Sequence, residues 1–369
     1  MRSGDGLSVL DGATGRRIGA AAALTTADGR RLVTVEADGR VVVRTAATGE
    51  VVAATAVRGS MRLAAVAPDA GLIALVDGDP AGRAQTTIVV AGPTGERHRL
   101  TLPGFVQPEA FSVSGTTLFV LDMLPPEHPD RYRVRALDLA SGSLRALNLV
   151  GDNSGVKVLV PTAAEEEMRG EGRQAVFDAG SSRLFTLYSH QPDHQHVRDL
   201  LNPGARDGKP DVHAFVHTLS VTDGWAYCVD LPTPFGTGAI EGLTIANAAA
   251  AAEIWVADAG KGALAVIHAS ALVVIQELSC TATAGPAALA ASPERVYLAA
   301  GRRVFVFDAR SKTAVATWDL PAPAAGVAVS AQGVYVGQPG AIVRLEPASG
   351  AVAAVIAAPG LSRVERVIE

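Results

Sequence analysis

The stretch VFVFDARSKTAVATWDL, residues 304–320, decides the fold. Two runs rich in Val, Phe, Thr and Trp, 304–307 and 313–318, flank the mostly polar residues 308–312. Short runs of β-branched and aromatic residues are typical of β-strands, and a polar cluster between two such runs indicates a tight turn. The stretch therefore predicts a β-hairpin.

The same hairpin pattern recurs along the whole chain. A second pair of apolar runs lies between most of the copies, so each unit holds four predicted strands. A strand-only unit of roughly 40 residues that repeats around a ring is the pattern of a β-propeller, whereas a solenoid would have shorter and more uniform repeats. The eight hairpins are LSVLDGATGRRIGA, VVVRTAATGEVVAA, TIVVAGPTGERHRL, RVRALDLASGSLRALNL, FVHTLSVTDGWAYCVDL, LAVIHASALVVIQEL, VFVFDARSKTAVATWDL and AIVRLEPASGAVAAVI.

The repeats predict an all-β chain that forms a single β-propeller domain over residues 1–369, with seven full four-stranded blades. The full units begin near residues 19, 61, 109, 173, 241, 285 and 325. The hairpin at 7–19 and the segment 361–369 are left over, and we expect them to meet, because closure removes free strand edges. They form either a partial eighth blade or a supplement to the seventh. Helix is expected only at 161–170 and 196–201.

The units VFVFDARSKTAVATWDLP and EIWVADAGKGALAVIHASALVVIQEL resemble the blades of bacterial YVTN and lactonase-like (quinoprotein-like) propellers. Blades of that family read as a valine-rich strand, an Asp, a small turn and another valine-rich strand. The resemblance covers most of the chain and implies the fold, but no catalytic motif of the family transfers onto this sequence. The tryptophan–aspartate repeat family fits less well, because only Trp318-Asp319 gives its dipeptide.

Composition excludes several classes of partner. The net charge of -5 and the absence of a Lys/Arg run give no footprint for nucleic acid. No uncharged apolar run is long enough to predict a transmembrane segment. The sequence as written predicts a cytoplasmic chain, and an export segment removed ahead of Met1 would make it extracytoplasmic. Cys228 and Cys280 have neither metal-site nor disulfide-framework spacing, so free thiols are expected. The oligomeric state is not predicted.

The lengths of the connections predict which face of the ring binds a ligand. With strands A to D numbered outward from the channel, A–B and C–D turns share one face, here called the turn face. B–C loops and D–A connections share the other, here called the loop face. The longest segments all fall on the loop face around blades 3 to 5, where long loops on a rigid scaffold are typical of binding sites. These segments are 123–131, 151–172, 190–212 and 232–239.

Two groups of polar residues are candidates for that site. Arg62, Glu109, Arg173 and Glu241 align at the loop-face ends of four successive A strands. They indicate either a solvated channel rim or a polar pocket.

The second group consists of five of the eight histidines: His190, His194, His196, His213 and His217. The last two lie four apart on a predicted strand and therefore on one side of it. Zinc binding, acid–base chemistry and a solvated loop without a role all remain open. If the 190–212 insertion folds over the rim as a lid, His213 is expected to point inward. Glu165, Glu166 and Glu167 are expected in a solvated loop or short helix.

Standard catalytic motifs are missing, including a G-x-S-x-G elbow, an H-E-x-x-H helix and a phosphate loop. The leading hypothesis is a non-enzymatic propeller without a cofactor that binds a protein, peptide or small molecule on the loop face. One alternative is a lyase or lactone hydrolase that uses the insertion histidines with Glu109 and Glu241. A second alternative is a surface-associated structural repeat protein.

Overall fold

A computed structural model describes residues 2–3, 6–10, 17–21, 23–78, 84–153, 156–160, 165, 167–168, 171–189 and 212–368. Strands make up 59% of the chain and helices 2%, so the all-β prediction is confirmed. The described helical turns are the 3₁₀ segments Ile240–Gly242 and Ala249–Ala251. Neither falls where helix was expected: residues 165, 167 and 168 are not helical, and 196–201 lies outside the described residues.

The described residues form eight β-sheets around a ring, which confirms the propeller fold. The innermost strands of blades 1 to 7 begin within four residues of the predicted unit starts. Blade 1 comprises β4 Ala23–Thr25, β5 Arg31–Val35, β6 Arg40–Thr45 and β7 Val51–Ala56. Blade 2 comprises β8 Met61–Val66, β9 Ile73–Asp77, β10 Gln85–Gly92 and β11 Gly95–Pro103. Blade 3 comprises β12 Phe105–Phe111, β13 Thr117–Leu124, β14 Arg131–Asp138 and β15 Leu144–Ala146. Blade 5 comprises β22 Leu243–Ala248, β23 Glu253–Asp258, β24 Ala263–His268 and β25 Val273–Ser279. Blade 6 comprises β26 Ala287–Ala291, β27 Arg295–Ala300, β28 Arg303–Asp308 and β29 Thr313–Asp319. Blade 7 comprises β30 Val327–Ser330, β31 Gly333–Gln338, β32 Ala341–Leu345 and β33 Val352–Ala357.

Blade 4 differs from the others because it has six strands. Its four ordinary strands are β18 Glu171–Asp178, β19 Arg183–Ser189, β20 Ala214–Ser220 and β21 Trp225–Asp230. The connection from blade 3 adds β16 Asn148–Asn153 and β17 Val156–Val160 outside them, and β16 pairs with β21 in parallel. The first part of the predicted 151–172 connection is therefore a hairpin on the perimeter of the ring. It covers the outer edge of blade 4, which would otherwise be free to pair with other chains.

Both termini build the eighth sheet, as the partial eighth blade of the prediction requires. It contains β1 Arg2–Ser3, β2 Gly6–Leu10, β3 Arg17–Ala21 and the C-terminal β34 Leu361–Arg363. β34 is the innermost strand and pairs with β1, so the two ends of the chain are joined by backbone hydrogen bonds. Contacts of β34 with β31 and of β2 with β4 close the ring between blades 7 and 1.

The apolar core is divided among the interfaces between neighbouring blades. Neighbouring A strands pack against each other in blades 1 to 3 and in blades 4 to 7, and alternate residues of a strand face opposite neighbours. Trp255, for example, contributes to the interface of blades 5 and 6, while Ile254 and Val256 beside it face blade 4. Val343 of blade 7 likewise faces blade 6. Each blade is therefore stabilised from both sides by burial of aliphatic and aromatic side chains.

The Asp of the blade pattern holds the turn that follows it. In blade 6 the Asp308 carboxylate accepts hydrogen bonds from the backbone N–H of Arg310 and Ser311 at 3.1 and 2.8 Å. Asp138 does the same for Ser141 in blade 3 at 2.7 Å. Such Asx turns fix the chain reversal. The backbone hydrogen bond from Ser311, together with the Arg295 ion pair, lowers the pKa of Asp308 to about 2.

Candidate functional site

On the loop face, an ion-pair cluster joins the last part of the connection between blades 3 and 4 to strand β14 of blade 3. Arg131, Arg133 and Arg135 alternate along β14 and therefore project from one side of it. Arg131 Nε donates to Glu167 at 2.7 Å, and Arg135 donates from Nε and Nη2 to Glu165 at 2.7 and 2.6 Å. Arg133 contacts both carboxylates, at 3.1 and 2.5 Å. Hydrogen bonds from Arg135 hold the pKa of Glu165 below its usual value.

The backbone reinforces this cluster. Tyr132 and Met168 exchange two N–H···O bonds of 3.0 and 2.9 Å, so Met168 occupies the D position of blade 3 where β15 has ended. Met168 is 1% exposed and packs with Tyr132 against blade 4. The expectation of a solvated loop for the described glutamates was wrong. Strand pairing of Met168 and arginines spaced two apart hold Glu165 and Glu167 in place.

The connection between blades 4 and 5 is also held by its own contacts. Phe235 is 2% exposed and belongs to the core between these blades. The N–H of Gly236 donates to the buried carboxylate of Asp258 at 3.3 Å. Gly236 has φ of +74°, and a Cβ at this position would lie 2.6 Å from the carbonyl oxygen of His213. The segment therefore packs directly on the start of β20.

The four predicted rim charges do not lie at one height along the channel. Height along the channel can be compared by counting residues from each charge to the first residue of the A–B turn in its blade. For Arg62 and Arg173 this count is five. Glu109 precedes that turn residue by three and lies at a β-bulge between Pro108 and Ala110. Glu241 precedes it by seven, in the exposed 3₁₀ turn before β22. Bulges and turns that differ between blades shift these residues out of the alignment that the sequence suggested.

Two of the predicted histidines are described. His213 is half-buried and immediately precedes β20. His217 is on β20, is 3% exposed and meets the ring of Tyr188 edge-on at 6.3 Å between centroids. His190, His194 and His196 lie outside the described residues, as does the side chain of Arg173. Among the described residues, no group of three or more His, Cys, Asp or Glu is placed to hold a metal ion.

A cavity of about 1140 Å³ occupies the turn-face half of the channel. The second halves of the A strands of blades 4 to 7 line it, together with the turns of blade 1 and the C-terminal segment. Of the predicted site residues with described side chains, none lines this cavity. Its polar and charged lining residues are Thr25, Thr26, Gln174, Asn247, Gln332, Tyr335, Arg344, Arg363, Glu365 and Arg366.

Sequence reasoning missed both the arginine–glutamate cluster and the polar residues of the cavity. The first had a signal, since Arg131, Arg133 and Arg135 occur at every second position of a predicted strand. The second had one too, because Arg344 interrupts an otherwise apolar strand, AIVRL. Neither cysteine forms a disulfide, as expected; Cys228 is buried, and burial raises the pKa of the Cys280 thiol to about 11. No described helix is both long and apolar enough to cross a membrane.

No protein-family model matches the chain, and no curated protein matches its sequence. Solved structures of propeller proteins do resemble it in shape. The Saccharomyces cerevisiae protein Sqt1 is similar with a TM-score of 0.50 and 9% identity, over 90% of this chain and 83% of Sqt1. The hydrazine synthase of Kuenenia stuttgartiensis has a TM-score of 0.43 and 14% identity, over 92% of this chain and 95% of that one. At these identities the likeness to Sqt1 supports the propeller fold alone.

Proposed function

We propose that this chain is a non-enzymatic propeller that binds a protein or peptide partner on the loop face of blades 3 to 5. One observation carries the proposal. The described long segments of this face are fixed by contacts with their own blades, yet they present exposed polar side chains.

The loop between β13 and β14 gives one half of the surface. Backbone bonds from Asp130 N–H to Leu124 O at 3.0 Å and from His128 N–H to Pro125 O at 3.2 Å fix its course. Glu127, His128 and Asp130 remain exposed. The segment that contains Phe235 and Gly236 gives the other half, with Thr237 and Glu241 exposed.

Fixed loops favour binding for an entropic reason. Association loses conformational freedom wherever a loop must become ordered, at a cost of about 0.5–1.5 kcal/mol per immobilised side chain. A surface whose backbone is already held by buried Phe235, Asp258 and Met168 avoids much of that cost. The same logic explains why binding sites commonly lie on loops of rigid scaffolds.

The proposed surface includes most of the residues that the sequence singled out. For six of them the supporting observation is sequence position, because they lie in one of the long loop-face segments or within two residues of its end. Arg62 and Glu109 are included only because the sequence aligned them with these residues. His217 is left out, since a side chain that is 3% exposed cannot touch a partner. The others are Arg62, Glu109, Arg173, Glu241, His190, His194, His196 and His213.

We also propose that the chain belongs among the YVTN and lactonase-like propellers. The support is the repeated strand, Asp and turn pattern, in which Asp138 and Asp308 hold equivalent C–D turns. A sequence profile built from this chain's own relatives tests the assignment. Recovery of that family, and of no other propeller family, is the expected result, and recovery of a different one overturns it.

Site-specific photo-crosslinking tests the binding proposal in cells that naturally contain the protein. A photoreactive residue is placed at Glu127 or Thr237 on the loop face, and at Ala271 or Arg310 in exposed turns of the turn face as matched controls. The expected result is an adduct of one defined mass from the first pair and none from the second. Equal adducts from both pairs, or adducts from the turn face alone, would overturn the proposal.

Metal analysis of the purified protein separates binding from the enzyme alternative. A non-enzymatic binding protein is expected to contain no stoichiometric transition metal. One zinc per chain, combined with hydrolysis of simple lactones, would favour the hydrolase instead, because a bound zinc generates a nucleophilic hydroxide near neutral pH.

A further inference from the structure

A shared irregularity of the C strands identifies an unusual arginine. In blades 1, 2, 5, 6 and 7 the pairing of the C and D strands shifts register at one equivalent place. In four of these blades the residue before the shift is a valine, and each valine is at most 6% exposed. The residues at this position are Val43, Val90, Val266, Val306 and, in blade 7, Arg344.

Arg344 thus occupies a position that is core in the other four blades. It lies opposite Tyr335 on the neighbouring strand, on the side of blade 7 that faces the terminal blade. Its stem packs over Gly333, where a Cβ would lie 3.0 Å from Arg344 Cγ. Because Gly333 begins β31, this direction leads toward the A–B turn and into the cavity that Arg344 lines.

The guanidinium of Arg344 has no partner in the part of the chain that the structure describes. Its Nε is enclosed and forms no hydrogen bond. An arginine side chain cannot release its proton at any ordinary pH, so the positive charge stays. Arg344 is half-buried, and a charge that is partly removed from water is stabilised when a counter-charge is near. The guanidinium of Arg344, which lines the cavity, is therefore available to pair with an anion that enters it.

We propose that Arg344 is the anchor of a binding site for a small organic carboxylate in this cavity. A planar guanidinium and a planar carboxylate form two parallel charge-assisted hydrogen bonds, which a point charge does not match. Neighbouring groups suit the remainder of such a ligand. The Tyr335 hydroxyl lies 3.5 Å from Gln332 Oε1, and both side chains line the cavity next to apolar Val329 and Ile356.

The charge balance of the cavity favours an anion. Three arginines, Arg344, Arg363 and Arg366, face one glutamate, Glu365, among the described lining residues. Arg366 also donates to the carbonyl of Ala27, which leaves Arg344 and Arg363 as the cations for a ligand. The volume exceeds what a small metabolite needs. This site is at the turn-face end of the channel and is independent of the partner surface proposed above.

Calorimetric titration tests the site with acetate, succinate, citrate and inorganic phosphate, at constant ionic strength with chloride as the balancing anion. The wild-type protein is expected to bind at least one of the three carboxylates saturably and more tightly than phosphate. Arg344→Val restores the residue of the other blades, and binding is expected to weaken at least about tenfold. Arg310→Val, the same change at an exposed turn, is expected to leave binding unchanged.

Stability provides a second readout. Replacing the half-buried Arg344, which pairs with no described residue, by valine is expected to keep or raise the melting temperature in chloride, while the carboxylate-induced rise disappears. Should Arg344→Val fail to fold, Tyr335→Phe keeps the volume and is expected to weaken carboxylate binding severalfold. The assignment is overturned by an absence of saturable carboxylate binding, by phosphate binding as tightly, or by an Arg344→Val protein that binds like wild type.

Discussion

Lys312 of blade 6 forms an ion pair with Glu253 of blade 5, and Nζ lies 2.7 Å from Oε1. The other carboxylate oxygen accepts a hydrogen bond from Trp255 Nε1 at 3.2 Å. The two charged side chains are 19% and 7% exposed, so the pair joins neighbouring blades largely out of contact with water.

We expect Lys312→Met to destabilise the protein by about 2–4 kcal/mol, because Glu253 would be left buried without its counter-charge. Urea unfolding of both proteins at pH 7 measures the difference. Arg303→Met is the control, since the Arg303–Asp319 pair is wide at 3.8 Å and its side chains are 46% and 92% exposed. That change should cost less than about 1 kcal/mol. Equal losses in the two variants would contradict the buried role of Lys312.

Gly350→Ala is expected to destabilise by about 3 kcal/mol or more. Gly350 has φ of +73°, and a Cβ there would lie 2.2 Å from Cγ of Trp318 in the neighbouring blade. The buried indole cannot move away without loss of its packing against Tyr297. Gly340→Ala provides the comparison, because Gly340 has φ of +75° but no atom within 4 Å of the added methyl. Backbone strain alone should cost about 1–2 kcal/mol there. Thermal unfolding distinguishes them, and similar melting temperatures would refute the steric argument.

The Arg135–Glu165 interaction predicts a pH-dependent contribution to stability. The folded pKa of Glu165 is lowered chiefly by the Arg135 hydrogen bonds, so its contribution is present above the unfolded value of 4.5 and is lost as pH falls through the folded pKa. Glu165→Gln should therefore cost about 1–2 kcal/mol at pH 7 and progressively less below pH of about 4.5. Urea unfolding at pH 7 and at a series of pH values below about 4.5 measures the trend. The exposed Glu277→Gln serves as control, and a pH-independent cost would count against the interaction.

Removal of residues 361–369 should destabilise the protein by about 3 kcal/mol or more, far beyond the effect of fraying. Leu361 and Val364 are 9% and 4% exposed, and Val364 N–H donates to Ala325 O at 2.8 Å. Removal of Glu369 alone is the matched control. Differential scanning calorimetry gives both melting temperatures, and an unchanged value for the longer deletion would show that terminal closure contributes nothing.

Local patterns predicted the propeller because each hairpin can be recognised from the strand-forming and turn-forming residues of its own sequence. Val, Phe and Trp in 304–318 favour strand, and Asp308 and Gly350 fix the turns, so no long-range knowledge was needed to find the blades. The hairpin of β16 and β17 was not predicted. Its pairing with β21 joins segments more than 70 residues apart, and nothing in a local window indicates such a partner.

Contacts across the ring limited the prediction of the site. The alignment of Arg62, Glu109 and Glu241 failed because the A strands of blades 2 and 3 carry bulges at different places and Glu241 lies in a 3₁₀ turn, and neither feature has a distinctive sequence. The environment of Arg344 depends on the terminal blade, which contains residues from both ends of the chain. A comparison of the repeats would have shown that Arg344 replaces a valine, but it could not have shown the cavity beside this residue.

The outer connection between blades 3 and 4 has a mechanical consequence for the ring. One covalent segment pairs with blade 4 through β16 and with blade 3 through Met168, so it straps the two together on the outside. Within the described parts of the chain, no comparable strap crosses the seam between blade 7 and the terminal blade, which is held by the three-residue β34 and the apolar side chains packed around it. Transient opening of the ring should therefore begin at that seam. Amide protons of β31 are expected to exchange with solvent faster than those of β20, which makes the terminal seam the weakest point of an otherwise continuous circle.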